Sequence, residues 1–145
     1  MSVDVLTETL IDVPRERVAA YVSDPDNAPE WYVNIKEAVW ETEPPMALGS
    51  RIAFVAQFLG RKLSYTYEVL ELVPGERVVM STAQGPFPME TTYTFEDAEG
   101  GQTRMTLRNR GQPAGFSKLM APLMVPAMRK ANTKDLANLK RILEG

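Results

Sequence analysis

The side chains here that can exchange a proton near neutral pH are few, because the 145 residues include neither histidine nor cysteine. Ser-His-Asp and Cys-His catalysis, thiolate chemistry and ordinary zinc sites are excluded by inventory. What remains in places that alternation turns inward is a set of hydroxyls and one amide: Thr7, Thr9, Tyr65, Tyr67, Thr91, Tyr93 and Asn109. Such groups orient a bound molecule by hydrogen bonds. A phenol, with a reference pKa near ~10, donates a proton or steadies an enolate but is a poor base. Tyr67 and Tyr93 are the two candidate proton donors, though a satisfied core phenol is the more ordinary reading of each.

Two other clusters bear on chemistry. Asp24, Asp26, Asn27 and Glu30 resemble part of a calcium loop, but the glycine and the distal bidentate glutamate are missing. Capping and turn formation account for them, and no metal or cofactor is expected. Arg51 is able to grip a ligand carboxylate bidentately; an ion pair with a neighbouring acid is the simpler expectation.

These residues need elements to hold them. Period-two patterning predicts strands over Val3–Ile11, Ile35–Thr42, Arg51–Leu59, Lys62–Val73, Arg77–Thr82, Met89–Glu96 and Thr103–Arg110, with tight turns at Gly60-Arg61 and Pro74-Gly75. Between the first two strands, "DVPRERVAAYVSD" predicts a short helix with Val13 as cap, Pro14 first, and Val18, Tyr21 and Val22 buried. One further turn near Pro29 should deliver Trp31 inward. After Gly111 the chain turns helical from about Gly115 to Leu143. Seven antiparallel strands, two small helices and one long C-terminal helix make an α+β domain over residues 1–145, in which only that helix is large enough to cover the sheet.

Composition narrows the partners. A net charge of −3 gives no reason to expect nucleic acid, and Arg129, Lys130, Lys134, Lys140 and Arg141 read as a solvated helix face. No apolar run is long enough to span a membrane and no export signal is read, so a cytoplasmic monomer or homodimer is expected.

The order of elements, with "DVPRERVAAYVSDPDNAPEWY", "LGSRIAF", "YEVLELVPGERVVM", "TYTFEDAEGGQTRMTLRNR" and "DLANLKRILEG", resembles the START-like or Bet v 1-like superfamily, in its polyketide cyclase/dehydrase-like branch. The resemblance covers nearly the whole chain. It implies a helix-grip fold, a curved sheet wrapped round the C-terminal helix with a cavity between them. Met120, Met124 and Met128 with Pro122 and Pro126 then suit a helix spanning a hollow, where soft side chains reshape round a ligand. The competing account is a solid core filled by the methionines, with Pro122 in the first turn of a late-starting helix.

Given a cavity, its expected lining is Trp31, Phe54, Phe58, Tyr65, Tyr67, Met80, Phe87, Met89, Tyr93, Met105, Asn109, Met120, Met124 and Met128, with Phe87 between two prolines at the entrance. The function this implies is binding of a small hydrophobic ligand, whether lipid, polyketide, isoprenoid or aromatic. The alternatives are a cyclase/dehydratase-like enzyme using pocket tyrosines, and a co-chaperone-type interaction domain. The carrier reading requires walls without titrating groups. A carboxylate in the hollow would overturn it, and a buried acid with a displaced pKa would favour the enzyme.

Overall fold

The structure, a computed structural model, describes residues 2–112, 119 and 121–145. Seven strands form one antiparallel sheet: β1 (Val3–Ile11), β2 (Ile35–Trp40), β3 (Arg51–Phe58), β4 (Arg61–Val73), β5 (Arg77–Gln84), β6 (Met89–Asp97) and β7 (Thr103–Gly111). Their order across the sheet is β1-β7-β6-β5-β4-β3-β2. Helix α1 (Arg15–Val22) and the single turn α2 (Ala28–Trp31) follow β1, and α3 (Ala121–Glu144) closes the chain. The expected helix-grip architecture is therefore present, with each strand within two residues of its predicted bounds. The segment 115–118 and residue 120, also expected to be helical, lie outside the described residues, and Leu119 sits in a turn.

Alternation sorts the faces. Ile52, Phe54 and Ala56 on β3 face the same side as Leu63, Tyr67 and Val69 on β4, and all are buried. The register sets Ile52 opposite Tyr67, Phe54 opposite Tyr65, Met80 opposite Thr91 and Thr91 opposite Asn109. Register shifts at Thr66/Tyr67 and Val69/Glu71 on β4 and at Ile35/Glu37 on β2 place extra residues on one strand, which raises local twist and bends the sheet toward the helix.

The outer face carries cross-strand ion pairs. Arg108 grips Asp4 with two bonds of 2.8 and 2.6 Å, Arg110 meets Glu90 at 2.9 Å, and Arg51 meets Glu68 at 3.2 Å. Arg51 is thus spent on its neighbouring acid, outside the sheet's concave side.

Two local details differ from expectation. Pro14, not Val13, is the residue before the first helical turn; its ψ of 147° is extended, and its carbonyl accepts from Arg17 and Val18. The hairpin between β3 and β4 turns on Leu59-Gly60 rather than Gly60-Arg61. A two-residue turn of this hand needs positive φ at both positions, and Leu59 (50°) supplies one beside Gly60 (76°).

Helix α3 approaches β1 and α2 most closely. Its cations fasten it there: Arg129 Nη1 donates to the Leu6 carbonyl at 3.1 Å and Lys140 Nζ to that of Leu10 at 2.8 Å. These bonds occupy carbonyls on the free edge of β1, which would otherwise invite pairing with another strand. At its C-terminal half, Leu136, Leu139 and Leu143 pack with Ile11, Val18, Trp31, Ile52, Phe95, Met105 and Leu107 into the main core. At its N-terminal half, Met124 and Met128 join Val3 and Val5 in a smaller cluster. Pro122 lies in the first turn of α3, where its missing N–H costs nothing, and Pro126 is exposed.

Candidate functional site

Between β3–β7 and the middle of α3 the side chains leave a cavity of about 140 Å³. Eleven of the expected lining residues surround it: Phe54, Phe58, Tyr65, Tyr67, Met80, Phe87, Met89, Tyr93, Asn109, Met124 and Met128. Pro86 is both exposed and part of the wall, so the cavity reaches solvent at the β5–β6 turn, beside Phe87. Met124 and Met128 border this cavity as well as packing on Val3 and Val5, Pro122 stands in the first turn of α3 as the competing account had it, and the solid core beyond is filled by Leu136, Leu139 and Leu143.

Two expected members stand elsewhere. Trp31 and Met105 are in the solid core, 1% and 0% exposed. Trp31 supports the wall from behind, its ring 4.0 Å from Tyr32 and 5.9 Å from Tyr93. Strand parity turns Met105 inward correctly, but there it belongs to the packed main core with Leu136 and Leu139. Met120 lies outside the described residues.

The wall also holds residues that strand parity did not reach: Tyr32, Asn34 and Ile35 just after α2, and Ala131, Asn132 and Asp135 on α3. Asp135 corrects the expectation of walls free of titrating groups. It is 2% exposed, and its Oδ1 accepts the Val33 N–H at 2.8 Å. Burial raises its pKa from 3.8 to about 7 against the opposing pull of that hydrogen bond. The signal lay in the sequence, since Met124, Met128, Ala131, Asn132 and Asp135 continue one helical stripe through "ANTKDL", which on polarity alone reads as solvent-facing.

The hydroxyls form two groups. Thr91 Oγ1 donates to Asn109 Oδ1 at 2.6 Å, so its other bond, 2.8 Å to Tyr67, must be accepted, and Tyr67 is the donor there. Burial pushes the Tyr67 phenol up to about 12, the bond to Thr91 working in the other direction. Tyr32 and Tyr93 share a bond of 2.6 Å. Burial raises both above the ordinary phenol value, and the nearby Asp135 carboxyl adds to that rise. Its charge reaches Tyr65 as well. Tyr32, Tyr93, Asn132 and Asp135 all line the cavity, and the backbone N–H that Asp135 holds belongs to Val33, next in the chain to Tyr32.

The acidic cluster is structural: Asp24 Oδ1 accepts from the Asp26 N–H at 3.0 Å and caps a short turn. Among the described residues no group of three acids stands in metal-holding geometry. A second concavity of about 630 Å³, an open groove between α1 and the loops bearing Pro44, Pro45, Pro74 and Gly75, lies outside the curved sheet.

Residues 2–144 match the family described as "Polyketide cyclase / dehydrase and lipid transport". The chain belongs to that family. No curated protein matches the sequence. Solved structures similar to this family member include TTHA0849 from Thermus thermophilus (TM-score 0.82, 22% identity, covering 96% of this chain and 95% of that one). A START superfamily protein from Mycobacterium smegmatis is similar at TM-score 0.81 and 13% identity, over 97% of both chains. The Zhui aromatase/cyclase from Streptomyces sp. R1128 is similar at TM-score 0.82 and 11% identity, over 99% of this chain and 94% of that one. These likenesses establish the family's fold here, as the sequence resemblance implied. No helix among the described residues is long and apolar enough to cross a membrane.

Proposed function

We propose that this protein binds a small, mostly apolar molecule in the cavity between its sheet and α3. The observation that carries the reading is the cavity itself: about 140 Å³ walled by Phe54, Phe58, Met80, Met124 and Met128, with a few polar side chains among them, Asn132 and Asp135 included. The carrier reading that required walls without titrating groups is overturned by Asp135, a carboxyl in the cavity wall. The ligand carries a polar group that answers Asp135.

Native mass spectrometry of protein purified from its own host, followed by extraction, tests this. The expected result is a co-purifying compound that is mostly apolar and bears a polar group. Met124→Trp fills the hollow and should abolish uptake at a cost to stability of about 1–3 kcal/mol, well short of unfolding. Protein that carries nothing, and takes up neither toluene nor phenol, overturns the proposal.

A second reading is favoured by one observation. An acid whose pKa lies at about 7 inside a ligand cavity suits general acid-base catalysis, as a cyclase or dehydratase requires. Asp135 takes the role in that case. Tyr67 and Tyr93 are weaker candidates, since burial makes both poorer acids and Tyr67 already gives its proton to Thr91. Turnover of a polyketide mimic by the wild type and not by Asp135→Asn supports this reading. The interaction-domain alternative rests on exposed apolar side chains, among them Val39, Leu48 and Leu123, which no observation among the described residues joins into one patch.

A further inference from the structure

The polar part of the cavity wall has an uneven hydrogen-bond account. Asn132 is 6% exposed, lines the cavity, and its Nδ2 has no partner. A buried amide N–H left unpaired is costly, and native proteins seldom keep one without a use. Three residues further along the same face of α3, about 5–6 Å away between Cβ atoms, stands Asp135, whose hydrogen bond from Val33 leaves acceptor capacity on the carboxyl. The third component is the Tyr32–Tyr93 pair. Two hydroxyls that share one bond use one O–H between them, and neither bonds any other group among the described residues. One phenolic proton is therefore left over, on a pair that itself lines the cavity.

The unspent groups of Asn132, Asp135 and the Tyr32–Tyr93 pair are thus two kinds of donor and one acceptor; the Tyr65 hydroxyl on the β4 wall is a further group with no hydrogen bond among the described residues. A carbonyl oxygen satisfies the donors only. A ligand carboxylate does likewise and brings a second acid beside Asp135. A hydroxyl accepts two hydrogen bonds and donates one, which matches all three. Size limits the remainder: an apolar cavity of about 150 Å³ holds one benzene ring, and this one is about 140 Å³.

Resting on the binding function proposed above, we infer that the Asn132–Asp135 part of the wall recognises a hydroxyl, and that the ligand is a neutral single-ring phenol or cyclic alcohol. The ring lies among Phe54, Met80 and Met128. Its hydroxyl takes hydrogen bonds from Asn132 Nδ2 and the free phenolic proton and gives one to Asp135. A carboxylate of the same size meets like charge wherever Asp135 is ionised, and a volume of about 140 Å³ favours a single ring.

Toluene and phenol are nearly isosteric, which allows a direct test by isothermal titration and by ligand-induced amide shifts. Water holds the phenol hydroxyl, so an unpaired site would favour toluene. At pH 8, where Asp135 is ionised and phenol is not, the expected result on wild-type protein is phenol binding about tenfold or more tighter than toluene, and benzoate weaker than both. In Asn132→Leu, which removes the orphan donor in an apolar shape of similar size, the order of phenol and toluene should reverse. Asp135→Asn, which keeps shape and hydrogen bonding but not charge, should rescue benzoate at least in part, and it provides a second readout if the leucine variant fails to fold. Toluene bound as tightly as phenol, or tighter, overturns the hydroxyl inference and leaves the binding function standing. Uptake of neither overturns both.

Discussion

Asp135→Asn should change how stability depends on pH, by an amount the site geometry sets. In the unfolded chain the Asp135 carboxyl titrates near 3.8, and in the folded protein burial holds it at about 7. The folded state therefore binds this proton more tightly, so the group's contribution to stability is complete below the unfolded pKa and is lost as pH rises to the folded one. Between about pH 5 and about pH 8 the unfolded chain is ionised throughout, while the folded chain gives up its proton only near 7. Two pH units at about 1.36 kcal/mol each make the expected loss about 2.7 kcal/mol. The lowered carboxyls Asp4 and Glu144 act in the opposite sense but only at more acid pH, since their folded pKa values lie below 3.8 and 4.5. Asparagine keeps an oxygen for the Val33 N–H and does not titrate. Urea unfolding of both proteins at the two pH values checks this. Wild type should lose about 2–3 kcal/mol on going to the higher pH, and the variant should lack that component and exceed wild type there. Parallel pH profiles for the two proteins would refute the placement of Asp135 as a buried acid.

Two further outcomes concern the cavity wall. Thr91→Val keeps the shape of a residue 2% exposed but removes the hydroxyl that joins Tyr67 to Asn109, leaving both without that partner. A loss of about 1–3 kcal/mol is expected in urea unfolding, and most of the Tyr67 share should vanish when Thr91→Val is combined with Tyr67→Phe. Gly111→Ala places a Cβ against the Pro88 carbonyl oxygen and 2.9 Å from Met89 Cα, where β7 pairs with the start of β6. Overpacking there should cost about 1–3 kcal/mol and displace Met89 from the wall, read as lower stability together with weaker ligand uptake. Unchanged unfolding would show that the β6 end gives way freely.

The sequence by itself determined the sheet and which of its side chains face the helix, because alternation is a local property: Phe54, Tyr67, Met80, Tyr93 and Asn109 reach the wall by parity alone. It also held the stripe on α3 that ends in Asn132 and Asp135, though the surrounding lysines and threonines disguise it. Where the hollow begins and ends depended on the tertiary structure. Met105 and Tyr93 obey the same parity on neighbouring strands, yet one is sealed in the core and the other borders the cavity. The difference is the gap between a bent sheet and a helix fastened along β1. The helix is held there by contacts between residues more than a hundred positions apart, such as Arg129 with Leu6 and Lys140 with Leu10. The raised pKa of Asp135 has the same origin, since a carboxyl is desolvated by the distant segments that close over it and not by its neighbours in the chain.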